Sequence, residues 1–256
     1  MDIAASLICM VNNLTGEIMK INNPKEVTEK IIFPCIKECF KDNLKSVILY
    51  GSAVSDSFNA TTSDINILVL IDKNNANSFI EFGKKSKKII KKYRFSILIL
   101  ALEEFINSAD VFPMEYYDIY DRHVVIYGES IEGKLKLTSH NLRHQLEERL
   151  RGFLNQFRQA IIQSGGNHRF LKQNIKIIPG VVKTLMRSAL RLKDVEVKNL
   201  TDNMVFAEIE KEYSVDMSVF SEIPNTNKYQ DMISVITKIL EIIDTITVQV
   251  DKLSSR

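Results

Sequence analysis

Three short apolar runs, rich in β-branched residues and bounded by polar or turn residues, punctuate the first hundred residues. They are Val47 to Tyr50, Ile65 to Ile71 and the segment RFSILILA from Arg94 to Ala101. Their length and composition predict β-strands. Between and before them the spacing changes to three and four residues. Val27, Ile31, Ile32, Ile36, Cys39 and Phe40 predict a helix over 24–43, with Pro24 in its first turn and an interruption near Pro34; Phe79, Phe82, Ile89, Ile90 and Tyr93 predict a second over 77–93. A short helix or turn is expected at 103–109. The aromatic-rich segment EYYDIYDRHVVIYGE is expected to form two strands, or one bent strand, closing on Gly128.

From Thr138 onward only the helical period remains. Leu142, Leu146, Leu150, Phe153, Phe157 and Ile161 form one stripe that stops at Gly165-Gly166. Further helices are expected over 170–192, bent or broken at Pro179-Gly180, over 202–212 and over 229–253. The pattern predicts an α+β chain. Residues 1–135 form a mixed sheet flanked by helices, and 136–256 form an all-α helical bundle.

With 45% apolar and 26% charged residues, the chain reads as globular. A formal charge of +2 is too small to argue for a nucleic-acid partner, and none is expected. Three cysteines (Cys9, Cys35 and Cys39) show no metal-ligand spacing, and their odd number suits a reducing compartment. The leading MDIAASLICMV has no basic start, and no apolar run reaches the length that spans a bilayer, so a cytoplasmic protein without a membrane partner is expected.

The chemistry concentrates between the first two strands. The first ends in Gly51-Ser52, a polar spacer runs from Asp56 to Ser63, and the second begins Asp64-Ile65-Asn66. Side chains two apart on a strand project together, so Asp64 and Asn66 share a face about 7 Å apart. Gly51 lacks a Cβ and lets a phosphate approach the backbone; Ser52 can donate to it. This strand, Gly-Ser, spacer and Asp-x-Asn arrangement resembles the signature of the nucleotidyltransferase fold, shared by polymerase β and the aminoglycoside nucleotidyltransferases. The segment SADVFPMEYYDIYDRHVVIYGE followed by LRHQLEERLRG also resembles uncharacterised bacterial nucleotidyltransferase-like proteins, from about residue 30 to about 162.

The resemblance implies a nucleoside triphosphate as substrate, Mg²⁺ as cofactor and a hydroxyl acceptor on a small molecule or macromolecule. Gly51, Ser52 and Ser63 would bind nucleotide. Asp64 and Asn66 would stand at the catalytic and metal positions. Asn66 occupies the place of the second acid and offers only a neutral oxygen. The third acid should fall near Arg94 or Ser96, and neither is a carboxylate; Glu115 or Asp118, read as strand residues facing opposite sides, could supply one. Three readings stay open: a nucleotidyltransferase, a catalytically impaired nucleotide-binding or regulatory module, and the nucleotidyltransferase component of a toxin and antitoxin pair. An oligomer is compatible with each.

Three further features have a functional and a plainer meaning. Lys84, Lys85, Lys87, Lys88, Lys91 and Lys92 could hold phosphates or form a solvated face. Arg143 could bind a phosphate bidentately or pair with Glu147 one turn on. His140 and His144 have zinc-compatible spacing but no evident third ligand.

Overall fold

The computed structural model describes residues 19–55, 58–223 and 228–253. The leading segment with Cys9 lies outside them, as do Asp56 and Ser57 of the spacer. The chain divides into two compact units, Met1–Glu103 with His123–Ser130, and Glu104–Arg122 with Ile131–Arg256.

The first unit opens with α1 (Pro24–Val27), whose N-cap Asn23 accepts the Glu26 amide. A π-helical turn, Thr28–Ile32, leads into α2 (Phe33–Phe40). Pro34 falls in the first turn of α2, where its missing N–H costs no helical bond, so the expected interruption becomes a change of winding rather than a break. Then follow β1 (Leu44–Tyr50), a 3₁₀ turn (Gly51–Val54), β2 (Ile65–Ile71), α3 (Ala76–Tyr93) and β3 (Phe95–Ala101). After α4 (Leu102–Asn107) and α5 (Pro113–Asp121), the chain returns as β4 (His123–Gly128).

The strands form one mixed sheet in the order β3-β2-β1-β4. β1 is antiparallel to both β2 and β4, while β2 and β3 run parallel, joined through α3. Odd-numbered side chains of the central strands (Val47, Leu49, Ile65, Ile67, Val69 and Ile71) join Ile32, Ile36, Phe40 and Phe82 in one core. On the opposite face Ile48, Leu68 and Leu70 are also buried. Burial on both faces explains why these strands read as continuous apolar runs instead of strict alternation.

The second unit contains α5, α6 (Ser139–Gln163), α7 (His168–Ile175), α8 (Ile178–Arg191), α9 (Asp202–Tyr213), α10 (Val219–Glu222) and α11 (Tyr229–Asp251). Leu142, Leu146, Leu150, Phe153 and Phe157 of α6 enter its core together with Ile239, Ile243 and Ile246 of α11. α6 is capped by Thr138 and ends at Gly165 and Gly166, both at positive φ. The expected 170–192 helix is two helices, with Pro179 in the first turn of α8.

One expectation fails. EYYDIYD is helix α5, and only His123–Gly128 is a strand. Aromatic β-propensity yields here to tertiary packing: Pro113 starts the helix, Met114, Tyr116 and Ile119 are buried along it, and the Met114 amide donates to Gln145 Oε1 at 2.8 Å. Glu115 and Asp118 are therefore one helical turn apart, not on opposite faces of a strand.

The end of β4 is fixed sterically. Gly128 has φ +81°, and a Cβ there would lie 1.8 Å from the Lys45 backbone oxygen. Neither the φ nor the clash can be relieved by a rotamer change. Gly128→Ala is expected to lower stability by roughly 2–4 kcal/mol, read from the midpoint of urea unfolding.

Candidate functional site

The C-terminal end of β1 and the N-terminal ends of β2, β3 and β4 meet at one edge of the sheet. There the register aligns Ser96, Asn66, Tyr50 and His123 in one row: Asn66 pairs with Ser96 on one side and Tyr50 on the other, and Tyr50 pairs with His123. Directly paired residues share a face with Cβ atoms about 5 Å apart. This polar row lies on the face opposite the α2/α3 core. Its next residues inward, Ile48 and Leu68, are buried and apolar, so the polarity is confined to the sheet end. Sequence reasoning did not place Tyr50 or His123 in this row. The only signal for His123 would have been recognising β4 as a short strand antiparallel to β1.

The turn after β1 closes on the same place. Gly51 has φ +73°, and a Cβ on it would sit 3.2 Å from Asn66 Nδ2, so the Asn66 side chain lies against the bare face of the glycine. Ser52 follows in the 3₁₀ turn, its carbonyl accepting from the Ser55 amide at 3.1 Å and hydroxyl at 3.2 Å. Ser63 is occupied within the spacer: its hydroxyl accepts the Asn59 amide at 3.0 Å, and its carbonyl accepts from Arg94. Asp64 stands just before the first paired residue of β2 and is solvent-exposed.

Arg94 dominates the neighbouring position. It caps α3 in the left-handed conformation, φ 51°, where a non-glycine side chain costs roughly 1–2 kcal/mol. Its carbonyl accepts the Ile65 amide at 2.8 Å. Its Nε donates to the Ser63 carbonyl at 2.9 Å, Nη2 to that of Ala60 at 2.9 Å and Nη1 to that of Met19 at 3.2 Å. Partial desolvation pushes the Asp64 carboxyl up from its ordinary range, and the Arg94 charge opposes that rise.

Arg143 belongs to the second unit, where Nη1 meets Glu147 at 3.3 Å and the Asp251 carbonyl at 3.4 Å, and Nη2 lies against His144. The acids considered as replacements for a third carboxylate are engaged in that unit too. Glu115 accepts from Gln145 at 2.7 Å and lies 3.5 Å from Arg149; Asp118 and Asp121 hold the buried Arg191 at 2.6 and 2.8 Å. Among the described residues, no group of three or more His, Cys, Asp or Glu could hold a metal ion. Among the described residues, the donors at the sheet end, one carboxylate and one amide oxygen, suit at most a single hard cation that also takes oxygens from a bound phosphate. They do not fit a two-cation site, which needs bridging carboxylates.

The raised Asp64 pKa has a consequence for stability. Its ionised form is less favourable in the folded than in the unfolded chain, so the stability present below the ordinary value near 3.8 is lost as pH rises through the folded value. Because Asp64 is solvent-exposed the effect is small: in metal-free buffer at pH 7, Asp64→Asn is expected to raise the melting temperature slightly, with no gain at pH 3, as measured by scanning calorimetry.

Neither a protein-family model nor a curated protein sequence matches the chain. Among solved structures, it is similar to spectinomycin adenyltransferase AAD(9) from Enterococcus faecialis, solved with ATP and spectinomycin. The TM-score is 0.60 at 13% sequence identity, over 88% of this chain and 99% of that one. The mixed sheet and the helices that follow it are thus those of a nucleotidyltransferase fold.

Proposed function

We propose that this chain binds a nucleoside triphosphate at the sheet end formed by Gly51, Ser52, Asp64 and Asn66, and that transfer of the nucleotide to a hydroxyl acceptor is weakened. The supporting observation is the contact geometry at Gly51: among the described residues, the side chain against its bare face is that of Asn66, on the strand that Asp64 precedes. Polyphosphate would lie along the Gly51-Ser52 turn, with the Ser52 hydroxyl donating to it. Asp64 would hold Mg²⁺ with Asn66 as a neutral second donor; when bound, that cation neutralises phosphate charge. Ser63 borders the same loop and is the further nucleotide contact.

Weakened transfer follows from what stands beside Asp64. The second acid is Asn66, and its β3 partner is Ser96, so the row offers no carboxylate to draw the proton from an acceptor hydroxyl. Arg143 is assigned to nucleotide binding only by sequence pattern, and its ion pairs with Glu147 and Asp251 would have to open for that role. A small-molecule acceptor of the kind named for AAD(9), which was solved with spectinomycin, is the first class to test.

Binding is read by thermal shift with ATP, GTP, CTP and UTP, with and without Mg²⁺. Stabilisation by at least one of them in Mg²⁺ is expected, since a ligand selective for the folded state raises its melting point. Catalysis is read by pyrophosphate release in the presence of an aminoglycoside panel that includes spectinomycin. Replacing Asn66→Asp together with Ser96→Asp rebuilds three carboxylates around one strand pair and is expected to raise Mg²⁺-dependent release by roughly 10²-fold or more. If both forms bind nucleotide and neither releases pyrophosphate, the weakened-transferase reading gives way to a pure binding module.

A further inference from the structure

Arg94 combines three features that ordinary helix termination does not require. The first is its backbone. The left-handed C-cap position of α3 favours glycine, and an arginine there is retained against a steric preference. Such a strained residue points to a role for its side chain.

The second is the reach of the guanidinium. It donates to three backbone carbonyls from separate stretches, Met19, Ala60 and Ser63, so one side chain ties the start of the described chain and two points of the spacer to the head of β3. A planar fork with fixed donors can do this; a lysine ammonium is a compact point charge and cannot span the three.

The third is location. β2 and β3 pair in parallel from Ile65 with Phe95 and Asn66 with Ser96, so Arg94 precedes β3 as Asp64 precedes β2, and its carbonyl receives the Ile65 amide. The spacer it grips, residues 58–63, connects the Gly51 turn to Asp64. Within it, Asn59 Oδ1 accepts the Thr61 and Thr62 amides, so the loop is a tight internal turn that Arg94 anchors from outside.

We propose that Arg94 is a positioning residue of the nucleotide site: its guanidinium fixes the spacer and the Asp64 start of β2 relative to the Gly51-Ser52 turn, standing where the nucleotidyltransferase resemblance expects an acid. This rests on the site reading above. It assigns to Arg94 a task that carboxylates and metal would otherwise perform, namely holding the Asp64 end of the site in one arrangement. A fixed cation beside Asp64 also opposes entry of a second divalent ion, in keeping with a donor set that fits one.

The sharpest variant is Arg94→Gly. Glycine suits the left-handed backbone better than arginine does, so a residue that serves only as a helix cap would be replaced without loss. The probe is whichever of ATP, GTP, CTP and UTP most stabilises the native chain in Mg²⁺, followed by calorimetric titration, with amide hydrogen exchange of residues 58–66 measured in parallel. The inference expects Arg94→Gly to keep its melting temperature within about 3 °C of native, to bind the nucleotide roughly tenfold or more weakly, and to exchange faster across the spacer. Arg94→Lys, which keeps the charge without the fork, should not restore affinity. If the native chain binds and Arg94→Gly binds equally well with unchanged spacer exchange, or if Arg94→Lys restores full affinity, the inference is overturned while the site reading stands. A native chain that binds none of the four overturns both.

Discussion

The pairing of Asn66 with Tyr50 on one side and Ser96 on the other is the constraint from which the site follows. Strand side chains alternate faces, so a slip of one residue in either ladder would send Asn66 into the core and Ile65 or Ile67 out of it. Ile65, Ile67 and Val69 are completely buried against the helices, and this makes such a slip prohibitive. Packing on one face of the sheet thereby dictates which polar groups meet on the other. Gly51 completes the arrangement: its φ of +73° favours glycine, and the missing Cβ leaves room for the Asn66 amide beside it.

The electrostatics of that corner differ from those of a carboxylate cluster. One exposed acid, Asp64, faces one arginine, and the rest of the row is neutral or histidine. Arg94 meets its hydrogen-bonding needs on backbone carbonyls, so it contributes positive charge without forming an ion pair that would quench Asp64. The second unit handles its charges in the opposite way. Arg191 is buried between Asp118 and Asp121 and lies over the Tyr117 ring, so its charge is matched within hydrogen-bond distance. The two arginines therefore do different work: Arg191 matches the charge of the part-buried Asp118 and Asp121, while Arg94 donates to backbone carbonyls of Met19, Ala60 and Ser63.

Much of this was legible in the chain itself. Short continuous apolar runs located β1, β2 and β3, and the 3.6-residue period located the long helices, to within a few residues, because burial of each element leaves its mark on residues close together in the chain. Gly51, Ser52, Asp64 and Asn66 were recognisable together because they lie within sixteen residues, on two strands joined by one loop. Helix α5 was misread because its aromatic residues carry β-propensity, and only Gln145 and the core of the second unit make the helix the better solution.

The sequence therefore determined β1, β2, β3, the long helices, the α+β plan and the Gly-Ser to Asp-x-Asn segment, all of which depend on residues near one another along the chain. Tertiary structure alone decided that His123 joins a row begun at Ser96, that Glu115 and Asp118 are bound by arginines of the helical unit, and that Arg94 grips carbonyls 31, 34 and 75 positions away. Strand register and hydrogen-bond partners between distant segments leave no periodic trace in a single sequence. They are fixed only when the buried faces have packed.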